Sequence, residues 1–185
     1  IPYLEHLTPA ATAVGAVNTI YCLDQQLIGE NTDVPGFLAD LQRFLGDRHS
    51  QNPVDKQALV LGAGGSARAV VYALCSQGWQ VRLAARRVEQ ARALIESLKI
   101  PVDGPSIQVV AYDPHGLTAA SEQVCLLVNT TPLGMWPRVD ASPWLAGVPL
   151  PSQAWVYDLV YNPAQTKFLQ QANQAGLQTS NGIGM

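Results

Sequence analysis

The chain has 185 residues, 48% of them hydrophobic and 14% charged, which is enough apolar material for one full core and part of a second unit. Its formal net charge of −3 leaves no basic field of the kind that holds nucleic acid or an anionic membrane surface, so neither partner is expected and any anion has to be bound locally. With no signal-type start and no run of eighteen apolar residues, a cytoplasmic enzyme is the expectation.

In chain order, Thr8-Pro9 reads as a helix start, with Thr as cap and Pro at the first helical position, and Gly15 closes that short helix. Residues 17–23 and 27–29 read as a hairpin across Asp24-Gln25-Gln26. From Asp33, the apolar positions Phe37, Leu38, Leu41, Phe44 and Leu45 recur at helical spacing to about Gly46. The polar stretch 46–56 is then a loop. After it the rhythm alternates: strand 57–61, helix 66–77, strand 80–84, helix 88–98, strands 107–111, 124–129 and 155–160, and a helix from Pro163 to Ala175 stopped by Gly176. Short β-rich runs alternating with helices imply an α/β fold with a doubly wound parallel sheet. Cys22, Cys75 and Cys125 are odd in number, widely spaced and flanked by apolar residues, and read as buried reduced thiols. His6, His49 and His115 have no ligand spacing, so no metal is expected.

The stretch LVLGAGGSARAVVYAL, residues 59–74, carries the strongest chemical signal. Gly62-Ala63-Gly64-Gly65-Ser66-Ala67 follows a strand and opens a helix, the setting that a dinucleotide fingerprint requires. Gly62 permits the tight turn, Gly64 lets backbone approach a pyrophosphate, and Ala67 lets the helix sit close to the strand. Exposed amides at the helix start hold phosphate without a basic side chain. At the end of the next strand an NAD site carries an acid for the ribose hydroxyls. Here Arg86-Arg87 stand in its place, suited to clamping a 2′-phosphate, so NADP is the expected cofactor.

AVGAVNTI (13–20), IGENTDVPGF (28–37), VLGAGGSARA, VNTTPLGM (128–135) and DLVYNPAQTKFL (158–169) occur in an order that resembles the shikimate dehydrogenases. The resemblance implies a Rossmann-like NADP-binding domain beside an α/β substrate-binding domain, with residues 1–34 a remnant of the latter, 35–178 the NADP domain and 179–185 the start of the return. It implies reduction of 3-dehydroshikimate to shikimate with NADPH, in aromatic amino-acid biosynthesis, by a monomer or homodimer. Asn18, Asp33 and Tyr161 match substrate-facing residues, with Asp33 at the catalytic site. Gly62 to Ala67, Arg86 and Arg87 fall along the cofactor. So do Asn129, Thr130, Thr131, Leu133, Met135, Leu159, Gly182 and Met185.

Two departures qualify the match. The family's lysine, in an NVTxPxK segment, and its Ser-x-Ser carboxylate clamp align before Ile1, and the end Gly182-Ile183-Gly184-Met185 resembles the start of GxGMLVxQGA. The 185 residues are therefore expected to be an internal fragment that binds NADP and turns over negligibly. The family's NRTxxR reads Ala85-Arg86-Arg87-Val88-Glu89-Gln90, with Arg87 the expected substitute for the second Arg. Read alone, Asp33 is equally an ordinary N-cap, and Tyr161-Asn162-Pro163 a loop into a helix. The alternatives left open are an NAD-dependent quinate/shikimate dehydrogenase and a non-catalytic NADP-binding sensor.

Overall fold

A computed structural model describes residues 3–46, 56–100 and 104–185; most of the loop read at 46–56, and His49 with it, lies outside the described residues. The first segment builds a small sheet. Strand β1 (His6–Leu7) pairs parallel to β3 (Gln26–Glu30), which pairs antiparallel to β2 (Thr19–Leu23). Between β1 and β2 runs helix α1 (Pro9–Val14), whose start is capped by the Thr8 hydroxyl accepting from the Ala11 amide, and whose end is closed by Gly15 at φ 67°. The hairpin turns tightly: Asp24 and Gln25 both have positive φ, the conformation that matches the twist of paired strands.

Helix α2 (Asp33–Leu45) leads to a six-stranded sheet in which all pairings are parallel. Its strands are β4 (Gln57–Leu61), β5 (Gln80–Ala85), β6 (Ile107–Ala111), β7 (Leu126–Asn129), β8 (Trp155–Asp158) and β9 (Thr179–Asn181), in the spatial order β6-β5-β4-β7-β8-β9. The order reverses beside β4, so its carboxyl end and that of β7 border the crevice where such sheets bind ligands. Alternation along the strands divides the core. Ala58 and Val60 of β4 face α2, α3 (Gly65–Ser76) and α4 (Val88–Ser97), while Leu59 and Leu61 face α5 (Pro114–Ser121) and α6 (Lys167–Gln174). The sheet is doubly wound, as the rhythm implied.

Helix α2 is fastened to the sheet by aromatic and polar contacts together. Phe37 meets Tyr157 edge-on at 5.3 Å and Phe44 meets Trp155 at 5.0 Å. The Tyr157 hydroxyl donates to Asp40, which is 4% exposed and also touches Arg43. Burial, and then the bond to Asp40, push the Tyr157 phenol well above its ordinary value. Arg68 of α3 joins the small sheet to the large one: its Nε and Nη2 donate to the Val14 carbonyl at 3.1 and 2.9 Å, capping α1. A cation at a helix C-terminus also complements the dipole.

Several expectations need correction. Helix α5 is absent from the sequence reading, although Asp113, which accepts from the Gly116 amide, and Pro114 at the first helical position mark its start. Helix α6 begins at Lys167, not Pro163, because Thr166 is the residue whose hydroxyl accepts from the Leu169 amide. Strands β7 and β8 are shorter than read. The strands β1 and β9 are additions, and β9 extends the large sheet through residues 179–181. Of the three free thiols, only Cys75 is buried, and desolvation pushes it up to about 12; Cys22 is exposed on β2 because no described element covers that strand. No described helix is long and apolar enough to cross a membrane.

Replacing Tyr157 by Phe keeps the ring and removes the donor that Asp40 depends on across the sheet. Leaving a buried carboxylate short of one partner is expected to cost about 1–3 kcal/mol, read as a lower denaturation midpoint at unchanged m-value. An unchanged midpoint would show that Arg43 alone satisfies Asp40.

Candidate functional site

The glycine turn sits at the carboxyl end of β4. Gly62 has φ 106°, and a Cβ there would lie 2.8 Å from Thr130 Oγ1 and 2.8 Å from Thr131 Cγ2, so the residue is bare because the turn presses against the next loop. Gly64 and Gly65 differ: a Cβ on either would meet nothing within 4 Å. Gly64 is the N-cap of α3 and no side chain caps it, so the first amides of the helix face open space. Ala67 is fully buried in the core beneath the turn.

Two cavities flank this turn. The first, of about 480 Å³, is lined by Gly62, Ala63 and Gly64, by Arg86, Arg87 and Gln90 after β5, by Tyr112 after β6, and by Thr130 to Leu133 with Met135 to Arg138 after β7. Among the described residues, no Asp or Glu lines it. The second, of about 490 Å³, is lined by Gly64, Gly65, Ser66, Thr130 to Pro132, Met135, Trp136 and residues 159–162. Large side chains left in solvent ring it: Trp136 is 69% exposed, Tyr161 61% and Met135 47%. Clustered exposed apolar surface of this kind marks a place where something docks.

Below the cavities, a buried carboxylate ties the loops together. Asp158, at the end of β8, is fully buried. It accepts from Asn129 Nδ2 at 2.8 Å, the Val160 amide at 3.0 Å and the Thr166 hydroxyl at 2.6 Å. Asn129 Oδ1 in turn accepts from the Thr131 amide and hydroxyl, at 2.9 and 2.7 Å, while the Thr130 hydroxyl donates to the Leu61 carbonyl at 2.7 Å. Asn129 is thus fully buried and lines neither cavity; it holds the turn that does.

The small sheet carries a second polar cluster. Asn18 Nδ2 donates to Asp33 Oδ1 at 2.7 Å, and Asn18 Oδ1 accepts from the Thr32 amide at 3.0 Å. Asp33 does not cap α2: that bond goes from the Val34 amide to Asn31 Oδ1 at 3.2 Å. The side chain of Asp33 is therefore spent on Asn18, not on the helix. Residues 182–185 run from the second cavity to helix α2. A Cβ on Gly36 would lie 2.5 Å from the Met185 carbonyl oxygen, and one on Gly182 would collide with that of Leu159, a residue lining the second cavity. Gly182 and Met185 line neither cavity themselves, and neither do Asn18 and Asp33.

Among the lining residues for which the sequence raised no expectation are Gln90, Tyr112, Trp136, Arg138 and Asn162. Gln90 occupies the second-Arg position of the NRTxxR pattern and donates to the Ala63 carbonyl at 2.8 Å, bracing the glycine turn. Tyr112 donates to the Pro143 carbonyl, and its phenol is pushed up by burial against the opposing pull of Arg86. Spacing gave no signal for any of them except Gln90. Among the described residues no group of three or more His, Cys, Asp or Glu is placed to hold a metal.

Burial pushes the Asp158 carboxyl up from its ordinary 3.8 to about 6, against the three hydrogen bonds, which lower it. A carboxyl raised in the folded state contributes stability that is full below the unfolded value and is lost as pH rises through about 6. Relative to an Asp158→Asn variant, the protein is expected to lose about 3 kcal/mol of stability between roughly pH 4 and pH 7. Denaturant melts of the pair across that range test it; a difference independent of pH would mean that the three donors fully offset burial.

No family model matches the chain. It is 40% identical over its whole length to shikimate dehydrogenase (NADP+) of Moorella thermoacetica, and covers 61% of that protein. The chain thus spans about three fifths of the length of the curated relative. Among solved structures, it matches a shikimate 5-dehydrogenase of Thermus thermophilus in complex with NADP(H) and shikimate at TM-score 0.79 and 34% identity, covering 99% of this chain and 62% of that one. It also matches a quinate dehydrogenase of Corynebacterium glutamicum in complex with NAD at TM-score 0.83 and 29% identity, covering 98% of this chain and 62% of that one. Over its whole length in sequence, and over 99% of it in fold, the chain is thus similar to shikimate dehydrogenases.

Proposed function

We propose that the protein carries out the reversible, NADP(H)-dependent reduction of 3-dehydroshikimate to shikimate. The observation that carries this reading is a cavity at the switch point of the sheet with no acid among its described lining residues, lined by open glycine backbone and by Arg86 and Arg87. That lining fits a dinucleotide bearing a third phosphate. The amides at Gly64 to Ser66 would take the pyrophosphate, and the two guanidiniums, which make no hydrogen bond or ion pair among the described residues, would take the 2′-phosphate.

When bound, NADPH supplies the hydride that reduces the ring carbonyl. The chain's own residues do the rest of the positioning. Tyr161, Trp136 and Met135 wall the second cavity and would exclude water from the nicotinamide side. Asn18 offers a donor and an acceptor to a polyol. Asp33 keeps Oδ1 fixed on Asn18, with Oδ2 left for a substrate hydroxyl. On this reading residues 1–34 belong to the substrate side, 35–178 to the cofactor unit and 179–185 to the return, where Gly182 and Met185 bring the two together. The Moorella relative's name and the Thermus complex support the same substrate and cofactor.

Titration of the chain with NADP+ and NAD+, and nicotinamide absorbance during oxidation of shikimate and quinate by a protein that carries this chain at the length of its relatives, test the reading. Arg86→Ala is expected to weaken NADP+ about tenfold or more, the worth of one charge-assisted hydrogen bond, and to leave NAD+ unchanged. Equal affinity for the two nucleotides, with quinate turned over, would move the assignment to the quinate enzymes that the Corynebacterium structure represents.

A further inference from the structure

The first cavity holds a third cation that neither the sequence motif nor the proposed 2′-phosphate pair accounts for. Arg138 follows β7, whereas Arg86 and Arg87 follow β5, and the two strands flank β4 on opposite sides. The three arginines therefore line one cavity from two walls. Like the pair, Arg138 makes no side-chain hydrogen bond or ion pair among the described residues, although Asp140 lies two positions on.

Arg138 is also held in place from behind. The Trp136 amide donates to the Asn162 carbonyl at 3.1 Å, and the Ala141 amide to the Arg138 carbonyl at 3.4 Å. Tyr112 bonds the Pro143 carbonyl, and the Ser142 hydroxyl donates to Gln171 Oε1 at 2.7 Å. A long cationic side chain on a pinned backbone, at a cavity with no acid among its described lining residues, gives up less freedom on binding an anion than one on a loose loop. The position where the NRTxxR pattern has its second Arg is filled by Gln90, which is engaged with Ala63 and brings no charge.

We propose that Arg138 is a specificity-determining residue: from the loop after β7 it contacts the 2′-phosphate of NADP opposite Arg86 and Arg87, a third cation added to that pair. The inference rests on the NADP reading above. Its test uses adenosine 2′,5′-bisphosphate and adenosine 5′-monophosphate, which differ only in the 2′-phosphate, together with NADP+ and NAD+, titrated calorimetrically into the unaltered chain, Arg138→Ala and Arg138→Lys.

The expected result is about a tenfold loss of affinity for the bisphosphate and for NADP+ in Arg138→Ala, with the monophosphate and NAD+ unchanged and part of the loss restored by Lys. Unchanged NAD+ affinity doubles as the control for folding. Equal loss for all four ligands would place Arg138 on the adenine or the adenosine 5′-phosphate and overturn the proposal. So would no loss for any ligand while Arg86→Ala still loses the bisphosphate, an outcome that leaves the NADP reading intact. Failure of the unaltered chain to prefer the bisphosphate would sink both.

Discussion

Everything around the two cavities hangs from one buried carboxylate. Asp158 ends β8, yet its bonds reach Asn129 at the end of β7, Val160 in the loop that leads to Tyr161, and Thr166 at the start of α6. Through Asn129 the same group fixes Thr131, and Thr131 meets the position where Gly62 has no side chain. Three loops from three strands are thereby set in one geometry. Burying the group is unfavourable by itself, which is why its carboxyl is pushed up, and such costs are retained where they fix geometry that apolar packing leaves loose.

An acidic chain that binds an anion has to concentrate positive potential locally. The fold does this with two kinds of donor. Backbone amides at the start of α3 point into the crevice with no side chain competing for them. Guanidiniums arrive from loops beyond β5 and β7, and among the described residues no carboxylate shares their cavity. The net charge of −3 says nothing of this arrangement, because the acids lie elsewhere.

The alternation of short β-rich runs with helices was enough to read the doubly wound sheet, and the glycine turn stood out because only close approach explains so bare a run between a strand and a helix. What escaped reading has physical causes. Helix α5 has few apolar positions, and Gly116 weakens its propensity, yet a Cβ there would collide with the Ala111 carbonyl oxygen. Strand β9 is three polar residues at a sheet edge, with no periodicity to find. Asp40 interrupts the apolar face of α2, and its partner Tyr157 lies 117 positions away. Asn129 shows the limit most clearly: a polar residue at a strand end beside the crevice looks the same in sequence whether it faces a ligand or bolts down the next loop. Arg138 belongs to no motif, and only the topology brings it to the cavity.

The glycines of the turn are bare for different reasons, and this separates what selection for folding sees from what selection for binding sees. Gly62 is constrained by its own protein, through a backbone angle and two threonines. Gly64 and Gly65 have open space where a methyl group would go, and neither has a positive φ. A library of variants ranked by thermal stability would therefore discard changes at Gly62 and accept alanine at the other two. On the proposed NADP reading, only a screen with nucleotide present would register a loss, so the chain's tolerance map without ligand would be blank over the surface assigned to the nucleotide.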